Sequence, residues 1–196
     1  MDRVQMMRDD LKNKVSKDDI LKKIYFSAPT FAFENDCLNQ YEIINEISNN
    51  LNIPYYNIHV TGSAKLGVSL HKRKVFSKVS SDLDVAIIDR DLFVTLSEKI
   101  YKETLAFSLM SNFQRGSDGI SHGDKYKLYL QKGMVMTQYM PIGRTKKDWD
   151  KIFFDLSTKY HKNFKSISGV VYLSQSYFIN KQRSILNLVN GFEVKK

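Results

Sequence analysis

Apolar residues recur at helical spacing from the start of the chain. Val4, Met7, Leu11 and Val15 stand three or four apart, and Ile20, Leu21 and Ile24 follow Ser16-Lys17-Asp18-Asp19, a helix-start pattern. Pro29 interrupts. A second helix is predicted over 34–51, with Leu38, Tyr41, Ile44, Ile47 and Leu51 on one face and Asn49-Asn50 and Pro54 at its end. The pattern then changes. Tyr56–Thr61 reads as a strand that stops at Gly62, a short helix over Ala64–Leu70 follows, and beyond a basic loop Asp82–Ile88 reads as a second strand. Asp91 is expected to cap a long helix over 92–113 that buries Phe93, Leu96, Ile100, Leu105 and Leu109.

The glycines at 116, 119 and 123 mark 115–124 as a loop, read as a lid over a site, and Tyr126–Leu130 with Met134–Met140 pattern as a hairpin turning at Lys132-Gly133. A helix near 148–160 with Trp149 as a core anchor, a short apolar strand or turn at Ile167–Leu173 and a last helix over 174–189 complete the reading. No repeat and no Pro- or Ser-rich linker divides the chain. The expectation is one α/β (α+β) domain over 1–196. Residues 1–54 form a helical part, 55–140 the core, and 141–196 a second helical part.

Composition narrows the classes. No stretch approaches about 18 uncharged apolar residues, so no membrane span and no membrane partner are expected. The charged N-terminus argues against a secretory signal, and a cytoplasmic protein is the simplest expectation. Cys37 is the sole cysteine, which excludes an internal disulfide or a cysteine zinc site; it is read as a small buried residue on a helix. A net charge of +9 points to a polyanionic partner, nucleic acid or a nucleoside triphosphate. Lys65, Lys72, Arg73, Lys74 and Lys78 form a run with no acid among them, whereas the basic residues of 144–165 alternate with Asp148, Asp150 and Asp155 and read as a solvated helix face.

The chemistry concentrates between the two strands. Alternation puts Asp82 and Asp84 on one strand face about 7 Å apart, an unfavourable pairing that a divalent cation relieves. Mg²⁺ (or Mn²⁺) suits one or two carboxylates completed by water and phosphate oxygens. Gly62 lets the backbone approach a phosphate, Ser63 opens a helix whose N-terminus favours anions, and Lys65 is expected to touch the same phosphates. A lone Gly-Ser turn or a lone Asp-x-Asp is most often structural. Their succession, with an apolar strand behind each, favours a site. Lys72, Arg73 and Lys74 are candidates for gripping a triphosphate tail or nucleic acid, as is Lys181, which shares a helix face with Tyr177 and Ser184; Tyr177 itself is read as packing. His59 is read as a half-buried strand residue, and His122 and His161 have no partner at metal-ligand spacing.

Thr61-Gly62-Ser63-Ala64-Lys65-Leu66-Gly67 with Ser81-Asp82-Leu83-Asp84-Val85 resembles the nucleotidyltransferase superfamily of the DNA polymerase β type. The likeness covers about thirty residues. It implies a mixed sheet flanked by helices, a nucleoside triphosphate at Gly62 and Ser63, metal at Asp82 and Asp84, and two-metal transfer of a nucleotidyl group to a hydroxyl of RNA, a nucleotide or a protein. The family usually carries a third carboxylate on a neighbouring strand. The expected hairpin holds no Asp or Glu, and Asp124 and Asp118 lie just ahead of it. Two further readings therefore stand beside the enzyme: a catalytically weak nucleotide- or nucleic-acid-binding regulatory protein of the same fold, and a basic RNA-binding domain in which the motif is coincidental.

Overall fold

The computed structural model describes residues 2–189 and 191, and the Val85-Ala86-Ile87-Ile88 run lies inside its sheet. Helices α1 (Arg3–Lys12), α2 (Lys17–Lys22) and α3 (Cys37–Leu51) precede strand β1 (Ile58–Thr61) and the short α4 (Gly62–Leu66). A two-stranded ribbon, β2 (Val68–Ser69) and β3 (Lys74–Val75), leads into β4 (Leu83–Ile88). There follow α5 (Arg90–Glu103), α6 (His122–Gln131), β5 (Met134–Val135), α7 (Arg144–Lys159), β6 (Ile167–Tyr172) and α8 (Gln175–Val189). Across the sheet the order is β1-β4-β6-β5. β4 runs antiparallel to β1 and parallel to β6, and β5 is antiparallel to β6. The fold is α+β with helical segments at both ends, as the hydropathy pattern predicts, and its sheet is mixed.

Alternation along β4 divides two cores. Leu83, Val85 and Ile87 pack with Ile44 and Ile47 of α3, Leu96 and Ile100 of α5, and Phe153 and Leu156 of α7. Ala86 faces the other way, toward Met7 of α1, Ile20 and Leu21 of α2, and Phe178 and Leu186 of α8. Burying each Leu or Ile here contributes about 1.5–3 kcal/mol. The second core stops short of one end of the sheet, and Asp84 is there only half-buried. No described helix is long and apolar enough to cross a membrane.

Several expectations are corrected. Asp89, not Asp91, caps α5: its carboxylate accepts from the Leu92 N–H at 2.8 Å, because the chain turns into the helix directly after β4. That helix ends at Glu103. The Thr104 hydroxyl donates to the Ile100 carbonyl and accepts from the Phe107 N–H, and Leu105, Ala106 and Phe107 take left-handed conformations, leaving Leu105 and Leu109 exposed. Tyr126–Leu130 is not a strand but part of α6, and only Met134–Val135 pairs, with β6 rather than with the preceding segment. Ile167–Tyr172, read as a short strand or turn, is a six-residue strand lying between β4 and β5. On α3 the buried face is Ile43, Ile44, Ile47 and Ser48, while Leu38 and Tyr41 are exposed, as is Cys37 in the first turn. The 115–124 loop folds on itself through an Arg115–Ser121 bridge and an Asp118–Lys125 ion pair.

Gly169 permits a close approach of α7 to β6. A methyl group there would stand 2.6 Å from Phe153 Cζ and 3.2 Å from Trp149 Cζ2. Those rings are stacked at 4.8 Å and buried, so neither yields easily. Gly169→Ala is expected to lower stability by about 1–3 kcal/mol in urea denaturation, the cost of overpacking; an unchanged midpoint would show that the pair moves aside freely.

Candidate functional site

Strand register assembles the site. Thr61 pairs with Asp84 across β1 and β4, and Asp84 pairs with Ser168 across β4 and β6. Gly62 follows Thr61 directly and adopts φ +62°, a conformation glycine accepts without a Cβ clash. A methyl group on Gly62 would lie 2.9 Å from Asp84 Oδ2. The bend before Ser63 and the acidic strand therefore meet, as the motif predicts. Ser168 donates to Asp84 Oδ1 at 2.8 Å, Ser166 donates to Asp82 Oδ1 at 2.7 Å, and the Thr61 hydroxyl donates to the Asp84 carbonyl at 3.2 Å. Asp82 Oδ2 takes no hydrogen bond from the described residues, and neither does the Ser63 hydroxyl.

The site is electrostatically unbalanced. Burial pushes the Asp84 carboxyl above its ordinary value against the pull of the Ser168 hydrogen bond; the Asp82 charge adds to the rise and Lys72 opposes it. The folded protein holds this proton more tightly than the unfolded chain does. Its stabilising contribution is therefore complete below the ordinary carboxyl value, and it is lost as pH rises through the raised one. Asp84→Asn is accordingly expected to melt above the parent protein at pH 7 and level with it at acid pH, checked by thermal unfolding at both. A variant less stable at pH 7 would contradict the imbalance.

The other candidates divide. Lys72, Arg73 and Lys74 are exposed at the turn of the β2–β3 ribbon, where Arg73 adopts φ +51°, and Lys72 is close enough to act on Asp84. Lys181 is exposed on α8, its ammonium 5.8 Å from the Tyr129 ring centroid. Tyr129 stacks on Tyr139. The buried Tyr172 hydroxyl is raised by burial first and then by Asp84 and Tyr129, so this aromatic group borders the acidic face. Tyr177 covers Gly133, a packing role.

Lys65 does not join the site. It is buried with Ala64 and Leu66, and its ammonium donates to the Ala28 carbonyl at 2.6 Å on the side of α4 turned to the N-terminal helices. Burial and the nearby Arg3 lower its pKa to about 8. His59 is half-buried against the edge of Phe26, and burial and Lys65 lower its pKa to about 4, which fits a neutral structural residue. α4 has only five residues, so its dipole is small. What it offers an anion is the unpaired N–H groups of its first turn.

Ser166 and Ser168 were not among the sequence candidates. Their signal was available: two hydroxyls two residues apart on an apolar strand, matching the spacing of Asp82 and Asp84. Asp124 lies in the first turn of α6. Among the described residues no three His, Cys, Asp or Glu side chains gather as a metal-binding group. Two carboxylates with open oxygens still fit one Mg²⁺ or Mn²⁺ whose remaining positions go to water and phosphate.

No family model matches the chain, nor does any curated protein or solved structure. Functional assignment therefore rests on this geometry.

Proposed function

We propose that the protein is a Mg²⁺-dependent nucleotidyltransferase acting on a nucleoside triphosphate and a hydroxyl acceptor. The observation that carries the reading is the approach of the Gly62 backbone to Asp84 Oδ2, which brings the bend that would receive a phosphate up against a carboxylate that would hold the cation. Asp82 and Asp84 would hold the cation, and Ser63 with the first-turn N–H groups would receive triphosphate oxygens. Lys72, whose charge acts on Asp84, would supply positive charge there, with Arg73, Lys74 and Lys181 as the further candidates. The bound cation would neutralise charge on the phosphate oxygens. The acceptor oxygen attacks the α-phosphorus in line, the bond from that phosphorus to the bridging oxygen breaks, and pyrophosphate leaves with the electron pair while the hydroxyl proton passes to water. Positioning and charge neutralisation supply most of the acceleration in such chemistry.

A second reading has one observation in its favour. Ser168 stands beside Asp84 on the neighbouring strand, and its hydroxyl occupies Oδ1 where a further acid would complete a second cation's ligands. On that reading the site binds nucleotide and signals its presence without turnover. Incubation with each α-labelled triphosphate, Mg²⁺ and a mixture of RNAs separates the two. Label on an acceptor, lost in EDTA, supports transfer; Mg²⁺-dependent retention of triphosphate without transfer supports the regulatory protein. Retention of neither ends both.

A further inference from the structure

A groove of about 900 Å³ runs between α7 and the segment 166–170, which leads into and forms the first part of β6. It is continuous with the candidate site, because Ser166 and Ser168 line it while donating to Asp82 and Asp84. Trp149 and Phe153 form its apolar floor, and Phe154 stands over it with 69% of its surface exposed. Lys146, His161 and Lys165 contribute its basic rim. Asp150 is its acid, and Lys146 neutralises it at 2.9 Å. Lys165 is exposed, with no carboxylate partner among the described residues.

The backbone of this segment is closed to an added peptide strand. The Ile167 N–H is taken by the Ser157 hydroxyl at 2.8 Å, and the Gly169 carbonyl by the Thr137 hydroxyl at 3.1 Å. Strand addition needs those backbone groups free. What remains is an exposed aromatic ring, the exposed Lys165 ammonium and a row of hydroxyls leading to carboxylates. That combination suits a chain of flat bases on an anionic backbone. The serines where groove and site meet also suit a terminal ribose, whose second hydroxyl both donates and accepts.

We propose that the α7–β6 groove binds the 3′ segment of a single-stranded RNA, with a base stacked on Phe154 and a phosphate on Lys165, so that its terminal ribose lies at Asp82 and Asp84. The role of that ribose as acceptor rests on the nucleotidyltransferase reading; the binding of RNA in the groove does not. Phe154 and Lys165 are both exposed, so Phe154→Ala and Lys165→Ala should fold as the parent does, with unchanged thermal midpoints.

The test is fluorescence anisotropy with a short 5′-fluorescein-labelled single-stranded RNA, alongside Mg²⁺-dependent triphosphate binding by each variant. Each substitution is expected to weaken RNA binding about tenfold, the loss of one stack or one phosphate contact. Lys165→Ala should also flatten the salt dependence, while triphosphate binding stays at the parent level. RNA binding indifferent to both substitutions, or absent from the parent protein, overturns the proposal, as does displacement of the RNA by an acidic peptide. DNA of the same sequence bound equally well overturns the ribose assignment. RNA binding that needs Phe154 in a protein that binds no triphosphate leaves the groove standing and ends the nucleotidyltransferase reading alone.

Discussion

Asp82→Ala is expected to lower Mg²⁺-dependent label transfer by at least about 100-fold while leaving the protein folded. Asp82 is half-buried, and its one hydrogen-bonded oxygen takes only the Ser166 hydroxyl. Removing the carboxylate therefore frees a partially solvated hydroxyl and opens no core cavity. The loss at the reacting centre is much larger. Cation stabilisation of charge on transferring phosphates is worth several kcal/mol, and each 1.36 kcal/mol is tenfold in rate. Parallel measurement of the melting temperature separates the two effects. Transfer that persists within a few-fold in a folded Asp82→Ala protein would remove the acidic pair from the mechanism.

Gly62→Ala is expected to weaken Mg²⁺-dependent triphosphate binding by about tenfold or more. Two costs combine. A side chain at φ +62° enters the left-handed region, at about 1–2 kcal/mol for an L-residue. The added methyl would also meet Asp84 Oδ2 at 2.9 Å and must push that carboxylate aside. The first cost appears as lower stability in urea and the second as lost nucleotide affinity, so both measurements are needed. A protein destabilised by that amount but binding triphosphate normally would show that the Gly62–Asp84 approach is unimportant to the ligand.

The parts legible in the sequence were those fixed by local pattern. Val60-Thr61-Gly62 announced the end of β1, because an apolar run met a residue free to reverse direction. Asp82 and Asp84 were placed on one face by strand alternation alone, and Ser16 was recognised as a helix start, where its hydroxyl does accept from the Asp19 N–H. The failures came where two periodicities fit the same letters. Tyr126-Lys127-Leu128-Tyr129-Leu130 alternates like a strand, yet Tyr126 and Tyr129 also stand three apart, and the Ser121 hydroxyl accepting from the Gly123 N–H starts a helix. Leu105 and Leu109 continued a helical stripe that Thr104 had already ended through its own hydrogen bonds.

Within the site, long-range pairing carried what the sequence left out. Ser168 is 84 residues from Asp84, and only the parallel register of β4 and β6 joins them. Lys65 illustrates the opposite error. Its place just after the Gly-Ser bend suggested a phosphate ligand, but a five-residue helix buried on one side gives its side chain another direction. Charge and proximity in sequence did not decide where the ammonium went; the packing of the N-terminal helices did.

That buried ammonium ties the first helices to everything in front of them. Its acceptor, the Ala28 carbonyl, lies between α2 and α3, so a chain trimmed back to α3 would leave a cation stranded beneath α4 with its receptor gone. Solvent would then enter behind the bend that faces Asp84, and the backing against which an incoming anion presses would give way. What looks like a detachable preamble to the sheet is the rear wall of its acidic corner.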